Sequence, residues 1–220
     1  MANHQTRKNN VINKHEHSTR LHLPNAAYDV VALAASLGGL KAISQILEAL
    51  PPDFPAAITV VQHLHPLYPS LMPDLLSRRT PLKVKQAESG NRLRPGTVYI
   101  APPNRHLLVN PDGILFLSQS EKVNFVRPSA DLLFESVATS FKERAIAVVL
   151  TGRGCDGASG VQAIRQMGGM AIAQDEATCE CFSMPSFAID TGSIDLILPL
   201  NKIAFALETL VMSAETLIPA

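Results

Sequence analysis

The stretch that decides the fold reads Val30-Val31-Ala32-Leu33-Ala34-Ala35-Ser36-Leu37-Gly38-Gly39-Leu40. Its first half is a run of small apolar residues, typical of a strand buried on both faces of a parallel sheet. Apolar residues then recur at helical spacing until Pro51-Pro52 ends the helix. Ser36 therefore lies on a tight strand-to-helix turn. It is either the cap of that helix or an exposed nucleophile beside unpaired backbone amides.

The composition excludes several classes of protein. Of the 220 residues, 46% are hydrophobic, enough to bury one sizeable core. The 19 basic and 19 acidic residues cancel, so no basic surface indicates nucleic acid. No apolar run is long enough to cross a membrane, and the polar N-terminus has no hydrophobic signal region, which favours a cytoplasmic protein without membrane insertion. Three cysteines form neither a disulfide framework nor a zinc pattern.

Strands and helices alternate along the rest of the chain. Strong apolar strands are predicted over residues 56–61, 145–150, 170–174 and 196–198, each followed by a helical pattern. Four short strands within residues 84–118, joined by turn signals, look like an antiparallel excursion. The fold class is therefore α/β: a doubly wound, mostly parallel sheet with helices on both faces and a small antiparallel hairpin excursion. Residues 1–27 are predicted to be a polar, flexible tail, and residues 28–220 the folded domain.

Three polar residues follow three of the predicted strands. Ser36 follows the first strand, His63 the second, and Asp156 lies in the glycine-rich loop after residues 145–150. Ligands of open α/β sheets bind outside the carboxyl ends of the strands, so these side chains can converge. Together they have the chemistry of a nucleophile, a general base and an orienting carboxylate. Singly, His63 is as well explained as a backbone cap, and Asp156 as the cap of the helix beside it.

Several ordered blocks resemble the chemotaxis protein-glutamate methylesterases, the CheB catalytic domain. The resemblance covers residues from about 28 to the C-terminus. It rests on these segments: Ala35-Ser36-Leu37-Gly38-Gly39, Gln62-His63, Leu93-Arg94-Pro95-Gly96-Thr97-Val98-Tyr99-Ile100-Ala101-Pro102, Arg127-Pro128-Ser129-Ala130-Asp131, Leu150-Thr151-Gly152, Asp156-Gly157-Ala158, Ala173-Gln174-Asp175-Glu176-Ala177-Thr178 and Met184-Pro185.

The resemblance implies roles for individual residues. Ser36 would be the nucleophile, His63 the general base and acid, and Asp156 the orienting carboxylate. Backbone amides would stabilise the oxyanion, and we place these donors at Leu37, Arg153 and Gly154. The implied reaction is hydrolysis of glutamyl methyl esters on methylated cytoplasmic domains of chemoreceptors, with release of methanol and without metal or organic cofactor. Receptor glutamine would also be deamidated.

The sequence departs from the family pattern at several positions. Ala34 replaces a usual glycine, Leu37 a small or hydroxyl residue, and Arg153 the usual methionine. A short tail stands where regulated members carry a phospho-receiver domain. We therefore expect no control by phosphorylation on the same chain and leave room for a separate regulator. Two alternatives stay open: a non-catalytic signalling or docking module of the same fold, and an esterase or amidase for an unrelated substrate.

Overall fold

The structure is a computed structural model that describes residues 26–212. Apart from Ala26 and Ala27, the predicted tail lies outside the described residues. Within them, the strands are β1 (Val30–Ala35), β2 (Ala57–Gln62), β3 (Lys83–Gln86), β4 (Thr97–Ile100), β5 (His106–Val109), β6 (Leu115–Ser118), β7 (Ala145–Val149), β8 (Met170–Gln174) and β9 (Leu196–Leu198). The α-helices are α1 (Gly39–Ala49), α2 (Met72–Ser77), α3 (Ala130–Phe141), α4 (Ala158–Gln166), α5 (Ser183–Asp190) and α6 (Leu200–Met212).

Seven of the strands form one parallel sheet in the order β3-β4-β2-β1-β7-β8-β9. The central strand β1 is buried along its whole length, which explains why its sequence is a continuous run of small apolar residues. Its neighbours β2 and β7 are also fully buried. The carboxyl ends of these three adjacent strands therefore meet at one edge of the sheet, where the chain can bring distant loops together.

Two apolar cores cover the two faces of the sheet. On one face, α1, α2 and α6 pack against the side chains of Val31, Leu33 and Ala35. On the other, α3, α4, α5 and the β5–β6 hairpin pack against Val30, Ala32 and Ala34. Successive side chains of a strand point to opposite faces, so the single run of β1 supplies both cores. This arrangement confirms the predicted doubly wound α/β fold with helices on both faces.

The prediction of four antiparallel short strands is wrong for the first two. Strands β3 and β4 pair in parallel with each other, and β4 pairs in parallel with β2, so both extend the main sheet. Only β5 and β6 form the antiparallel hairpin. A four-residue strand carries no local signal of its direction, because direction is set by the partner that it meets in the folded chain.

The two ends of the described chain meet at the amino edge of the sheet. The Ala27 amide donates a hydrogen bond to the Val211 carbonyl over 2.9 Å. Asp29, which precedes β1 and is buried, accepts two hydrogen bonds from the Arg144 guanidinium, over 2.6 and 2.9 Å. A buried carboxylate requires such a bidentate partner. These contacts fix the start of β1 to the segment that leads into β7.

Candidate active site

Ser36 is held by backbone contacts at the carboxyl end of β1. Its amide donates to the Thr151 carbonyl over 3.0 Å, and its carbonyl accepts from the Gly39 amide over 3.0 Å and from Gln62 Nε2 over 2.7 Å. The N-cap of α1 is Gly38, which has a φ of 78° and forms no side-chain cap. Ser36 is therefore not the cap of the helix, and its hydroxyl is left for another role.

Glycine is required at two positions around Ser36 because there is no room for a side chain. A Cβ on Gly39 would lie 2.1 Å from Gln62 Oε1. A Cβ on Gly152 would lie 2.9 Å from both the amide nitrogen and the Cβ of Ser36, and 2.2 Å from Met184 Sδ. Real contacts are never this short, so Gly39 allows the turn after β1 to pack on Gln62 of β2, and Gly152 allows the loop after β7 to touch Ser36. The position of Ser36 depends on that close approach.

His63, which directly follows β2, forms a hydrogen bond with Asp156. The distance between His63 Nε2 and Asp156 Oδ2 is 2.8 Å, and the two side chains are 13% and 3% exposed. A carboxylate only accepts hydrogen bonds, so Nε2 carries the proton. In the neutral imidazole, Nδ1 then has a free lone pair and is the nitrogen that can accept a proton. The structure thus joins two of the three residues that the sequence singles out.

The Asp156 carboxylate lies against the N-terminus of α3. Its oxygens accept hydrogen bonds from Ser129 Oγ over 2.8 Å, from the Ala130 amide over 2.6 Å and from the Asp131 amide over 3.2 Å. Burial alone would raise the pKa of Asp156, but the bonds from His63, Ala130 and Ser129 outweigh burial and lower the pKa. Asp156 is therefore ionised at neutral pH. It caps α3 from a distant loop, not the helix α4 that begins beside it.

Asp131 occupies the mirror-image position at the start of α4. Its Oδ1 atom accepts from the amides of Gly157 and Gly160 over 2.9 and 2.8 Å, and Asn124 Nδ2 donates to its Oδ2 over 3.0 Å. Burial, together with the nearby charge of Asp156, raises the pKa of Asp131 to about 6. No role is predicted from the sequence for Asp131, Ser129 or Gln62. Their only signal was membership of the ordered blocks.

A cavity of about 780 Å³ opens between α1 and α2 at this edge. Ser36, His63, Leu37 and Arg153 all line it, whereas Gly154 does not. The Gly154 amide donates to Ser183 Oγ over 3.3 Å, so this predicted oxyanion donor is already engaged. The backbone amides of Leu37 and Arg153 donate to no described residue. Among residues 26–212, no three His, Cys, Asp or Glu side chains group to hold a metal ion.

The chain matches the family model "CheB methylesterase" over residues 31–207. It belongs to the CheB methylesterase family. A solved structure, the Thermotoga maritima CheB methylesterase catalytic domain, superposes with a TM-score of 0.81 and is 40% identical, covering 84% of this chain and 99% of that one. The fold thus occurs in a family whose description names a methylesterase.

Curated relatives support the same assignment. The protein-glutamate methylesterase FrzG of Myxococcus xanthus is 45% identical over 184 residues, which is 84% of this chain and 55% of the relative. A putative protein-glutamate methylesterase/protein-glutamine glutaminase of Leptospira interrogans is 40% identical over 177 residues, which is 80% of this chain and 92% of the relative. The chain thus spans about half the length of FrzG and nearly all of the Leptospira relative. No helix within residues 26–212 has the length and apolar character needed to cross a membrane.

Proposed function

We propose that this CheB-family chain is a serine hydrolase that cleaves glutamyl methyl esters on chemoreceptors and releases methanol. The observation that carries the proposal is the His63–Asp156 pair, 2.8 Å between the bonded atoms, on a cavity that Ser36 also lines. The names of the relatives, which include protein-glutamine glutaminase, support deamidation of receptor glutamine as a second reaction of the same site.

In the proposed mechanism, Ser36 Oγ attacks the ester carbonyl carbon while His63 Nδ1 accepts the hydroxyl proton. The buried, ionised Asp156 keeps the proton on Nε2 and stabilises the imidazolium that forms. The amides of Leu37 and Arg153 donate to the developing oxyanion. His63 then returns its proton to the methoxide, and methanol leaves. Water attacks the acyl-enzyme in the same way, which gives a glutamate side chain and restores Ser36.

The same steps account for deamidation, because the leaving group changes and the acyl-enzyme does not. Ser36 attacks the amide carbonyl, and the proton from His63 goes to the departing nitrogen as ammonia forms. An amine is a poorer leaving group than methanol, so this proton transfer must accompany bond cleavage. Deamidation of glutamine therefore depends more strongly than ester hydrolysis on the correct position of His63.

The proposal extends to the setting of the reaction. Residues 28–220 form the methylesterase domain, and the partner is the methylated cytoplasmic domain of a chemoreceptor or a similar protein in the cytoplasm. The residues that replace the family pattern, Leu37 and Arg153, both line the cavity and keep their backbone amides. These substitutions therefore alter the surface that meets the substrate and leave the proposed oxyanion donors in place. A separate regulator would control access.

The test measures methanol release from a methylated chemoreceptor cytoplasmic fragment with the wild type and Ser36→Ala side by side. We expect release that depends on Ser36, and labelling of Ser36 by a fluorophosphonate probe. Labelling without methanol release would favour an ester or amide of another class. A folded sample that neither labels nor releases methanol would overturn the enzyme proposal in favour of a docking module.

A further inference from the structure

The cavity beside Ser36 has an apolar wall that nothing in the described chain covers. Its apolar lining comes from Leu37, Leu40, Leu64, Met72, Leu75 and Leu76. Leu37 is 52% exposed and Leu75 is 45% exposed, although both face a cleft. Exposed apolar surface next to a candidate nucleophile is typical of a surface that binds part of a partner protein. The cleft is large enough to take several side chains at once.

The charges that line the cleft all have the same sign. Lys41, Arg79 and Arg153 line it, and no Asp or Glu is among its lining residues. Lys41 also lines a neighbouring depression that contains Glu180, so its charge is shared between two sites. The inference therefore uses only the two arginines. Neither guanidinium forms an ion pair or hydrogen bond with a residue in the range 26–212. A cleft of this charge is complementary to carboxylates, which arginine binds in a bidentate manner.

The walls of the cleft favour a helical occupant. Residues of α1 and α2 contribute side chains to it, while β1 and β2 are paired on both sides within the sheet. An extended segment would therefore find no free strand edge and would leave its backbone groups without partners. A helix satisfies its own backbone and presents apolar and charged side chains on neighbouring faces.

Resting on the proposed esterase function, we propose that the cleft binds an amphipathic helix of the substrate protein and that Arg79 and Arg153 select for an acidic neighbour of the ester. On a helix, a carboxylate three or four residues from the esterified glutamyl side chain lies on the same face. With the ester carbonyl at Ser36, that carboxylate reaches the arginine side of the cleft while apolar residues contact Leu40 and Leu75.

The test compares two synthetic helical peptides that differ only in the residues flanking one central glutamyl γ-methyl ester. One has glutamate three and four residues away on both sides, and the other has alanine there. We expect wild-type kcat/KM to be about tenfold higher for the acidic peptide, as for a few partly screened charge-assisted contacts. The preference should shrink as the ionic strength is raised to about 0.5 M, because salt screens exposed charges.

Three variants and one control test which residues cause the preference for the acidic peptide. Arg153→Met and Arg79→Met should each lower the ratio of the two kcat/KM values, and the double variant should bring it near one. Arg78→Met is the matched control, because Arg78 is exposed next to Arg79 but does not line the cleft. Arg79 follows α2 and is not part of the loop beside Ser36. Arg79→Met therefore tests the role of the cleft charge even if Arg153→Met disturbs that loop.

The outcomes separate this inference from the proposed function. Equal turnover of both peptides by the wild type would overturn the role of the arginines and leave the esterase function intact. A preference that Arg78→Met abolishes as fully as Arg79→Met would also overturn it. Hydrolysis of the receptor fragment but of neither peptide would show that a single helix does not fill the cleft. No hydrolysis of fragment or peptides would count against the esterase function itself.

Discussion

Asp131 and Asp156 exchange helix starts: Asp156 accepts hydrogen bonds from the first amides of α3, the helix that contains Asp131. Asp131 accepts hydrogen bonds from amides at the start of α4, the helix that follows Asp156. Asp156 precedes α4 but accepts from the amides of Ala130 and Asp131 at the start of α3. Asp131 lies in the first turn of α3 but accepts from Gly157 and Gly160 at the start of α4. Carboxylates are stabilised at helix N-termini, so this exchange fixes the two helices to each other. It also fixes the carboxylate that contacts His63.

Asp156→Asn should lower kcat for methanol release by about ten-thousandfold, as loss of the correct histidine tautomer does in other triads. If the Asn nitrogen takes the place of Oδ2, which accepts from both His63 and the Ala130 amide, it faces His63 Nε2 and forces the imidazole proton onto Nδ1. The nitrogen that should accept the Ser36 proton is then occupied. Methanol release at saturating substrate measures the loss, and thermal unfolding checks the fold. A folded variant with near-wild-type kcat would contradict the triad.

Ser129→Ala should lower kcat roughly fivefold. The change removes the hydroxyl that donates to Asp156 Oδ1 over 2.8 Å, and one such hydrogen bond is worth about 1 kcal/mol. Ser136→Ala is the matched control on the same helix. Its hydroxyl bonds to the Val109 amide and the Leu133 carbonyl and does not touch Asp156. Both variants should lose stability, but only Ser129→Ala should lose kcat; equal kcat losses would argue that α3 stability alone matters.

Asp131→Asn should change how the free energy of unfolding depends on pH. Burial raises the pKa of Asp131 to about 6 in the folded chain, above the value of 3.8 expected for an unperturbed aspartate. The folded state therefore holds this proton more tightly than the unfolded chain. Its stabilising effect is complete below about pH 4 and is lost as the pH rises through 6.

Between pH 4 and 7, the free energy of unfolding of the wild type should accordingly fall by on the order of 2 to 3 kcal/mol relative to that of Asp131→Asn. Urea unfolding at intervals across this range measures the difference. The exposed Asp53→Asn gives the baseline for removal of a surface carboxylate. A difference between wild type and Asp131→Asn that stays constant with pH would show that Asp131 titrates as an unperturbed aspartate.

Gly152→Ala should reduce kcat by about a hundredfold, the effect of displacing a catalytic group by roughly 1 Å. The new Cβ would lie 2.9 Å from the Ser36 amide nitrogen, and backbone cannot move aside as a flexible side chain can. Gly192→Ala is the control, because Gly192 has a φ of +71° but no atom within 4 Å of an added Cβ. That variant should lose stability from backbone strain and keep kcat, whereas intact activity in Gly152→Ala would refute the tight fit.

The sequence predicts the central part of the fold well because its signals there are local. The run Val30–Ala35 is apolar throughout since β1 is buried on both faces, and the glycines after Ser36 mark the turn. Once three neighbouring strands are recognised, their carboxyl ends must share an edge, so Ser36, His63 and Asp156 fall in one region. The structure brings His63 and Asp156 into contact, and their catalytic roles stay predictions.

Other features have no local signal. The direction of β4 is decided by its pairing with β2, more than 20 residues away in the chain, and the direction of β3 by its pairing with β4. The exchange between Asp131 and Asp156 depends on how α3 packs against α4. A helix-start pattern shows that a carboxylate is near a helix N-terminus but not which helix it binds. The cleft charge is equally hidden, because Arg79 and Arg153 come together only when the sheet is complete.

The meeting of Ala27 with Val211 has a practical consequence. Both ends of the described domain leave it at the amino edge of the sheet, and β1 separates that edge from Ser36 by six residues, roughly 20 Å of strand. A fluorescent label or purification tag attached at either end therefore starts on the side of the molecule away from the cleft. The same proximity makes the domain suited to circular permutation, in which a short linker joins the old ends and new ends are opened elsewhere.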